Sequence, residues 1–184
     1  MKVGTRSVLF GVHQFLWHPI TVLIAWYKLY GIPSLKEIVC IFVHDIGYFG
    51  QPNMDGKEGE EHPWSGAIIA HKLFDGRVKT SSDFTYKRAD YMNLCLFHSR
   101  TCAKKYNSQP SRLCWADKLS IVYDPWWFYL ARAWLSGEIW EYRKDAIALG
   151  GISEESSYRE WFDWARERGM RAAYTQNPAK AYEF

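Results

Sequence analysis

Apolar side chains recur at three- and four-residue steps along most of the chain, as in Ile20, Leu23, Ile24 and Tyr27, and alternating runs are few. That period gathers the apolar groups on one side of a helix and would scatter them over both faces of a strand, so the chain reads as all-α. A first helix is expected from about Pro19, a favoured first-turn proline, to Gly31. A second opens at Ser34, where Ser34-Leu35-Lys36-Glu37 has the spacing of a capping box, and runs to Gly47. The Gly- and Pro-containing stretch Phe49 to Gly56 then reads as a loop and a candidate pocket wall. Further helices are expected over Pro63 to Phe74, Phe84 to Ala103 and Ser111 to Ile121, with a break at Pro125. Beyond it Trp126, Trp127, Trp134, Trp140, Trp161 and Trp164 fall on helical segments divided by Gly150-Gly151. A single domain over 1–184 is expected, with residues 126–184 as a tryptophan-rich helical extension that packs on the core or forms a face between copies in a homo-oligomer.

Composition removes several classes of protein. Aromatic residues make up 17% of the chain and hydrophobic ones 48%, which excludes intrinsic disorder. A chain of 184 residues buries roughly 70% of its unfolded surface without needing staples. The 23 basic and 20 acidic side chains are interspersed, so the formal charge of +3 marks neither a nucleic-acid stripe nor a polybasic membrane patch. Val8 to Tyr27 carries no formal charge and has about the length of a bilayer span. His13, Gln14, His18 and Pro19 would stand at bilayer depth there, at a cost that argues against a membrane helix. Cys40, Cys95, Cys102 and Cys114 form no CxxC pair, and no secretory cleavage pattern is present. They read as buried free thiols of a cytoplasmic protein.

Four of the six histidines fall into one ordered pattern: His18 at a helix start, His44-Asp45 at a helix end, His62 at another start, His98 late in a long helix, then Asp117. Imidazole and carboxylate together suit Fe, Mn, Co or Zn, and a carboxylate such as Asp45 can bridge two ions about 3.5 to 4 Å apart. His71 lies outside the pattern and reads as a hydrogen-bonded core histidine.

The order and local contexts resemble the HD superfamily of metal-dependent phosphohydrolases, over roughly residues 13–125. His18-Pro19-Ile20-Thr21-Val22 looks like the first-ligand helix of the HD domains in stringent-response enzymes, and His44-Asp45-Ile46-Gly47 looks like the central HD motif. His62-Pro63-Trp64-Ser65-Gly66-Ala67 is similar to the helix that supplies a second-metal histidine in HD-GYP phosphodiesterases and HD-type diadenosine tetraphosphate hydrolases. Ala116-Asp117-Lys118-Leu119 resembles the closing segment of the latter. The resemblance implies an HD-domain helical bundle over about 13–125. His18, His44, Asp45 and Asp117 would hold one metal, and His62 and His98 would complete a second around Asp45. His13 also precedes the HD pair at a distance the superfamily tolerates, and the His18-Pro19 context favours His18. His13 is then a group behind the ligands, a substrate contact or a core histidine. Tyr48 stands where HD-GYP proteins carry Lys and deoxynucleotide monophosphatases carry Glu, and the GYP signature is absent, which argues against cyclic-di-GMP hydrolysis.

The expected activity is hydrolysis of a phosphoester or phosphoanhydride bond in a small nucleotide by a metal-bound hydroxide, with two divalent ions as cofactors. Arg100 and Lys118 beside the ligands, with Asp45, are the expected catalytic groups, and Arg112, Lys104, Tyr48 and His13 are candidates for substrate binding. Trp64, Trp115 or Tyr48 could stack a purine, with core packing as the default. The same ligand order also resembles mixed-valent diiron oxygenases such as inositol oxygenase, and a catalytically silent nucleotide-binding module is the third reading.

Overall fold

A computed structural model describes residues 1–54, 56–75 and 89–179. Among them are ten α-helices and no strand, as the periodicity requires: α1 (Val3–Phe10), α2 (Trp17–Tyr30), α3 (Leu35–Val43), α4 (Pro63–Ala70), α5 (Asp90–Leu96), α6 (Arg100–Lys105), α7 (Arg112–Ser120), α8 (Trp126–Ser136), α9 (Glu138–Ala148) and α10 (Tyr158–Thr175). No helix among the described residues is long and apolar enough to cross a membrane, and all four cysteines are buried free thiols.

Several expected elements are shorter than the apolar pattern suggests. The capping box forms, with Ser34 and Glu37 each bonding the other's backbone, but α3 stops at Val43 and a separate 3₁₀ turn covers Ile46–Tyr48. The helix expected to Phe74 changes to a π turn over His71–Asp75. The one expected over Phe84 to Ala103 begins outside the described residues and is two helices, broken at Phe97–Ser99. There the Phe97 carbonyl accepts the backbone N–H of Ser111, and Ser99 caps α6 through Cys102 N–H. A further helix, α1, precedes the expected first one.

Two larger apolar cores result, and Val8, Tyr48 and Met54 form a third, smaller cluster. Trp26 and Val22 on α2, Ile41 on α3, Leu96 on α5 and Leu113 and Leu119 on α7 form the first. The second joins Val12 to Tyr129, Ile139, Trp161 and Phe162 of α8, α9 and α10. The segment after Pro125 packs through Trp161, while Trp126, Trp127, Trp134 and Trp140 stay exposed. Gly169 lets α10 close on α7, because a Cβ there would lie 2.4 Å from the Lys118 carbonyl. Buried Arg132 ties α8 to the α1–α2 connection: it donates to the Gly11 and Val12 carbonyls at 3.2 and 3.1 Å and pairs with Asp124. Residues 49–54 seat the N-terminal helix, with Gly4 N–H on the Gln51 carbonyl and Gly50 N–H on Thr5, and Phe49 lines a cavity that also reaches His44 and Asp45.

Candidate metal centre

Three of the patterned histidines share one local device. His44 caps the C-terminal end of α3, His62 ends the 3₁₀ turn Gly59–Glu61, and His98 occupies the break after α5. In each case Nδ1 meets the carbonyl three residues back: Ile41 at 2.7 Å, Gly59 at 2.6 Å and Cys95 at 2.5 Å. A carbonyl only accepts, so Nδ1 carries the proton and Nε2 keeps its lone pair, the tautomer that binds metal. The Gly59 and Cys95 carbonyls also accept the backbone N–H of the same histidine, at 3.1 and 3.3 Å, so one oxygen at the end of the turn holds both main chain and ring. The helix break at 97–99 that the apolar pattern conceals is thus what presents His98.

The free nitrogens converge on Asp45. Its Oδ2 lies 3.2 Å from His18 Nε2 and 3.0 Å from His44 Nε2, and Asp117 Oδ1 lies 3.2 Å from the same His18 nitrogen. Its Oδ1 lies 3.2 Å from His98 Nε2 and 3.5 Å from His62 Nε2. The two sets, His18–His44–Asp45–Asp117 and Asp45–His62–His98, each keep their donor atoms within 4.8 Å of one another, and either could hold a metal ion. Donors 3.0 to 3.5 Å apart have the spacing of neighbours around one ion held at about 2.1 Å. His44 Nε2 is buried and makes no hydrogen bond, and His18 Nε2 has only the Asp45 and Asp117 carboxylates within reach. Such groups are costly unless something else satisfies them. His62 and His98 also bring two Nε2 lone pairs to 3.0 Å, a contact that repels until a cation stands between them.

Electrostatics divides the imidazoles. Burial lowers His44, and burial with the neighbouring His98 lowers His62 to about 3, so both are neutral donors. For His18 burial acts the same way, but the Asp117 and Asp45 carboxylates outweigh it and raise the imidazole to about 9. Burial likewise opposes ionisation of Asp45 and Asp117, and the imidazoles around Asp45 and the Lys118 ammonium beside Asp117 hold both well below the usual carboxylate range. A metal entering the first set must therefore displace a proton from His18 below pH 9. Calorimetric titration of Mn²⁺ into metal-free protein at pH 7.5, in buffers of different ionisation heat, should register release of about one proton, absent in His18→Ala. Release no larger in wild type than in that variant would contradict a charged His18. The sign for stability is opposite. A raised imidazole stabilises the metal-free fold fully below about 6.5, and that contribution is lost as pH rises through 9.

The helices meet closely enough for this convergence only because two glycines permit it. A Cβ on Gly66 of α4 would lie 2.5 Å from the Val43 carbonyl, and one on Gly47 would lie 1.9 Å from the His62 carbonyl. Gly47→Ala should displace His62 from Asp45, lowering bound metal from about two equivalents to about one by elemental analysis. A Gly47→Ala protein that retains two equivalents would exclude this contact as the determinant of the second set.

The remaining candidates separate by position. His13 stays outside both sets, with Nε2 4.0 Å from Asp45 Oδ2, and lies beside them. Its Nδ1 donates to Glu138 Oε1 at 3.0 Å. Glu138 is fully buried and also accepts from Ser7, Val12 N–H, Ser136 and Tyr142. This carboxylate comes from the extension, and no local pattern links it to a histidine 125 positions away. Tyr48 stacks on His62 with ring centres 3.8 Å apart. Arg100 and Lys118 line a cavity of ≈ 950 Å³ together with His13, His18 and Asp117, and Lys118 Nζ lies 3.0 Å from Asp117. Lys104 is exposed and lines neither cavity at the centre. Arg112 turns away from the centre, pairs with Glu37 at 2.5 Å and lies over Trp26. Trp115 is a core residue, Trp64 packs edge-on against Tyr106, and His71 faces Asp75 at 3.4 Å. No protein-family model, curated protein or solved structure matches the chain.

Proposed function

We propose that the chain is a two-metal phosphohydrolase that cleaves a phosphoester or phosphoanhydride bond of a small phosphorylated substrate, a nucleotide being the class to which the HD resemblance points. The observation that carries this reading is the buried Asp45 carboxylate, one oxygen turned to His18 and His44 and the other to His62 and His98. A bound pair of transition-metal ions supplies an acidified water and polarises a phosphoryl oxygen. The chain's own groups complete the chemistry. Arg100 and Lys118 face the cavity from the Asp117 side and offset negative charge on the phosphoryl oxygens. His13 has Nδ1–H committed to Glu138, so it can move a proton only at Nε2, the atom directed at Asp45. That suits it to protonate the leaving oxygen as the P–O bond breaks.

The test is elemental analysis of protein purified without added metal, followed by a phosphate-release panel of nucleotides and phosphomonoesters with and without air. About two equivalents of Fe, Mn, Co or Zn and oxygen-independent phosphate release are expected. Metal-free protein that takes up no ion would remove the reading, and dioxygen consumption without phosphate release would replace hydrolysis by oxygenase chemistry.

A further inference from the structure

The metal-ligand cluster opens to a second cavity, and its lining differs in kind from the first. This cavity, ≈ 580 Å³, reaches His18, His44 and Asp45 from between α1, α2, α3 and α4. Its other walls include Phe15, Leu16, Phe42, Ile46, Phe49 and Ile69, and apart from the centre's own residues and His13 only Ser65 is polar. No Lys or Arg lines it, whereas Arg100 and Lys118 stand in the larger cavity, and His13 and His18 border both. Phe15, Leu16, Ile46 and Phe49 are 44 to 60% exposed. Apolar groups that converge on a cavity with a polar floor, rather than lying scattered over the surface, mark a ligand site.

We propose that this cavity binds the alkyl or aryl group of a phosphomonoester whose phosphate lies at the Asp45 centre. The assignment rests on the phosphohydrolase reading and narrows its substrate. The polarity of the two cavities matches the two ends of such a molecule: anionic oxygens toward Arg100 and Lys118, an uncharged apolar alcohol toward Phe42 and Phe49. A sugar would bury hydroxyls among these side chains with almost no partners, and a nucleobase would find nothing to read its edges. An alkyl chain loses nothing and gains affinity by roughly three- to fourfold per methylene buried.

Two probes test it on Mn²⁺-loaded protein: N-phenyl-1-naphthylamine, a neutral fluorophore, and a pair of phosphonates that cannot be hydrolysed, methyl and octyl. The fluorophore should brighten with wild type and with Trp127→Asp, which changes an exposed aromatic in α8, and not with the Phe42→Asp/Phe49→Asp double variant. Octylphosphonate should bind at least 30-fold more tightly than methylphosphonate and displace the fluorophore. In the double variant that ratio should fall below threefold while methylphosphonate affinity is kept. Fluorescence or a chain-length ratio indifferent to the double variant would overturn the assignment. Displacement by an adenosine 5′-phosphonate as strong as by octylphosphonate would overturn the alkyl or aryl class in favour of a base. Fluorophore binding lost in the double variant, with neither phosphonate binding, would instead sink the phosphohydrolase reading and the phosphate half of this assignment with it.

Discussion

Asp45→Ala should empty both halves of the centre at once. Each Asp45 oxygen faces a separate imidazole set, and no other residue belongs to both. Its removal leaves His62 and His98 with no carboxylate and leaves His18 and His44 with Asp117 alone. The second set would keep only two neutral imidazoles and the first a single carboxylate, Asp117, already paired with Lys118, so bound metal should fall from about two equivalents to below about 0.5 by elemental analysis. Phosphate release should fall by at least ~10⁴-fold, about 5.4 kcal/mol of barrier. The fold should survive, because Asp45 pairs only with groups of the centre, and far-ultraviolet circular dichroism of metal-free wild type and variant should coincide. His62→Ala is the contrasting control, since it removes a donor from one set only and should leave about one ion. Two equivalents of metal in Asp45→Ala would break the site assignment.

The parts of this centre that were legible in the sequence are those written at short range. Ser34 and Glu37 lie three apart and cap α3 as their spacing requires. His44 and Asp45 are adjacent, and Asp117 and Lys118 are adjacent, so each pair reaches one place together. The order of the histidines carried the rest, but order does not give orientation. Arg112 is five residues before Asp117, a rotation of roughly 140° around α7, which turns it to Glu37 and Trp26 instead of the metals. Lys104 is one helical turn beyond Arg100 on α6 and so stands farther from the centre. Apolar periodicity also runs straight through Leu94, Cys95, Leu96 and Phe97, where a side chain-to-backbone bond from His98 accompanies the end of the helix. The N-terminal helix carries no local start signal in the sequence, having neither a side-chain N-cap bond nor an acidic residue in its first turn, and is held by distant groups, Glu138 of α9 among them.

Glu138 is the extreme case of that long-range dependence, and its loss should have the largest effect on stability. The carboxylate is fully buried and accepts from Ser7 Oγ at 2.6 Å, Val12 N–H at 2.9 Å, His13 Nδ1 at 3.0 Å, Tyr142 Oη at 2.9 Å and Ser136 Oγ. Glu138→Ala leaves those donors facing a cavity, a loss of about 3–5 kcal/mol if partly relaxed. For a chain of this size that corresponds to a drop in melting temperature of roughly 10 °C, measured on the metal-free protein so that ion binding does not contribute. Burial raises the Glu138 carboxyl, but hydrogen bonds from His13, Ser136 and Ser7 outweigh it and the net displacement is downward. A depressed carboxylate stabilises the fold above its unfolded value near 4.5, and that contribution disappears as pH falls through the folded value. The melting-temperature gap between wild type and Glu138→Gln should therefore be constant from pH 7 to about 4.5 and close below it. Glu138→Gln should also keep two equivalents of metal, since Glu138 belongs to neither donor set, while losing phosphate release through an unanchored His13. A Glu138→Ala protein melting within 2 °C of wild type would show that the extension does not depend on this carboxylate. A Glu138→Gln protein with wild-type turnover would remove His13 from the proton transfer assigned to it.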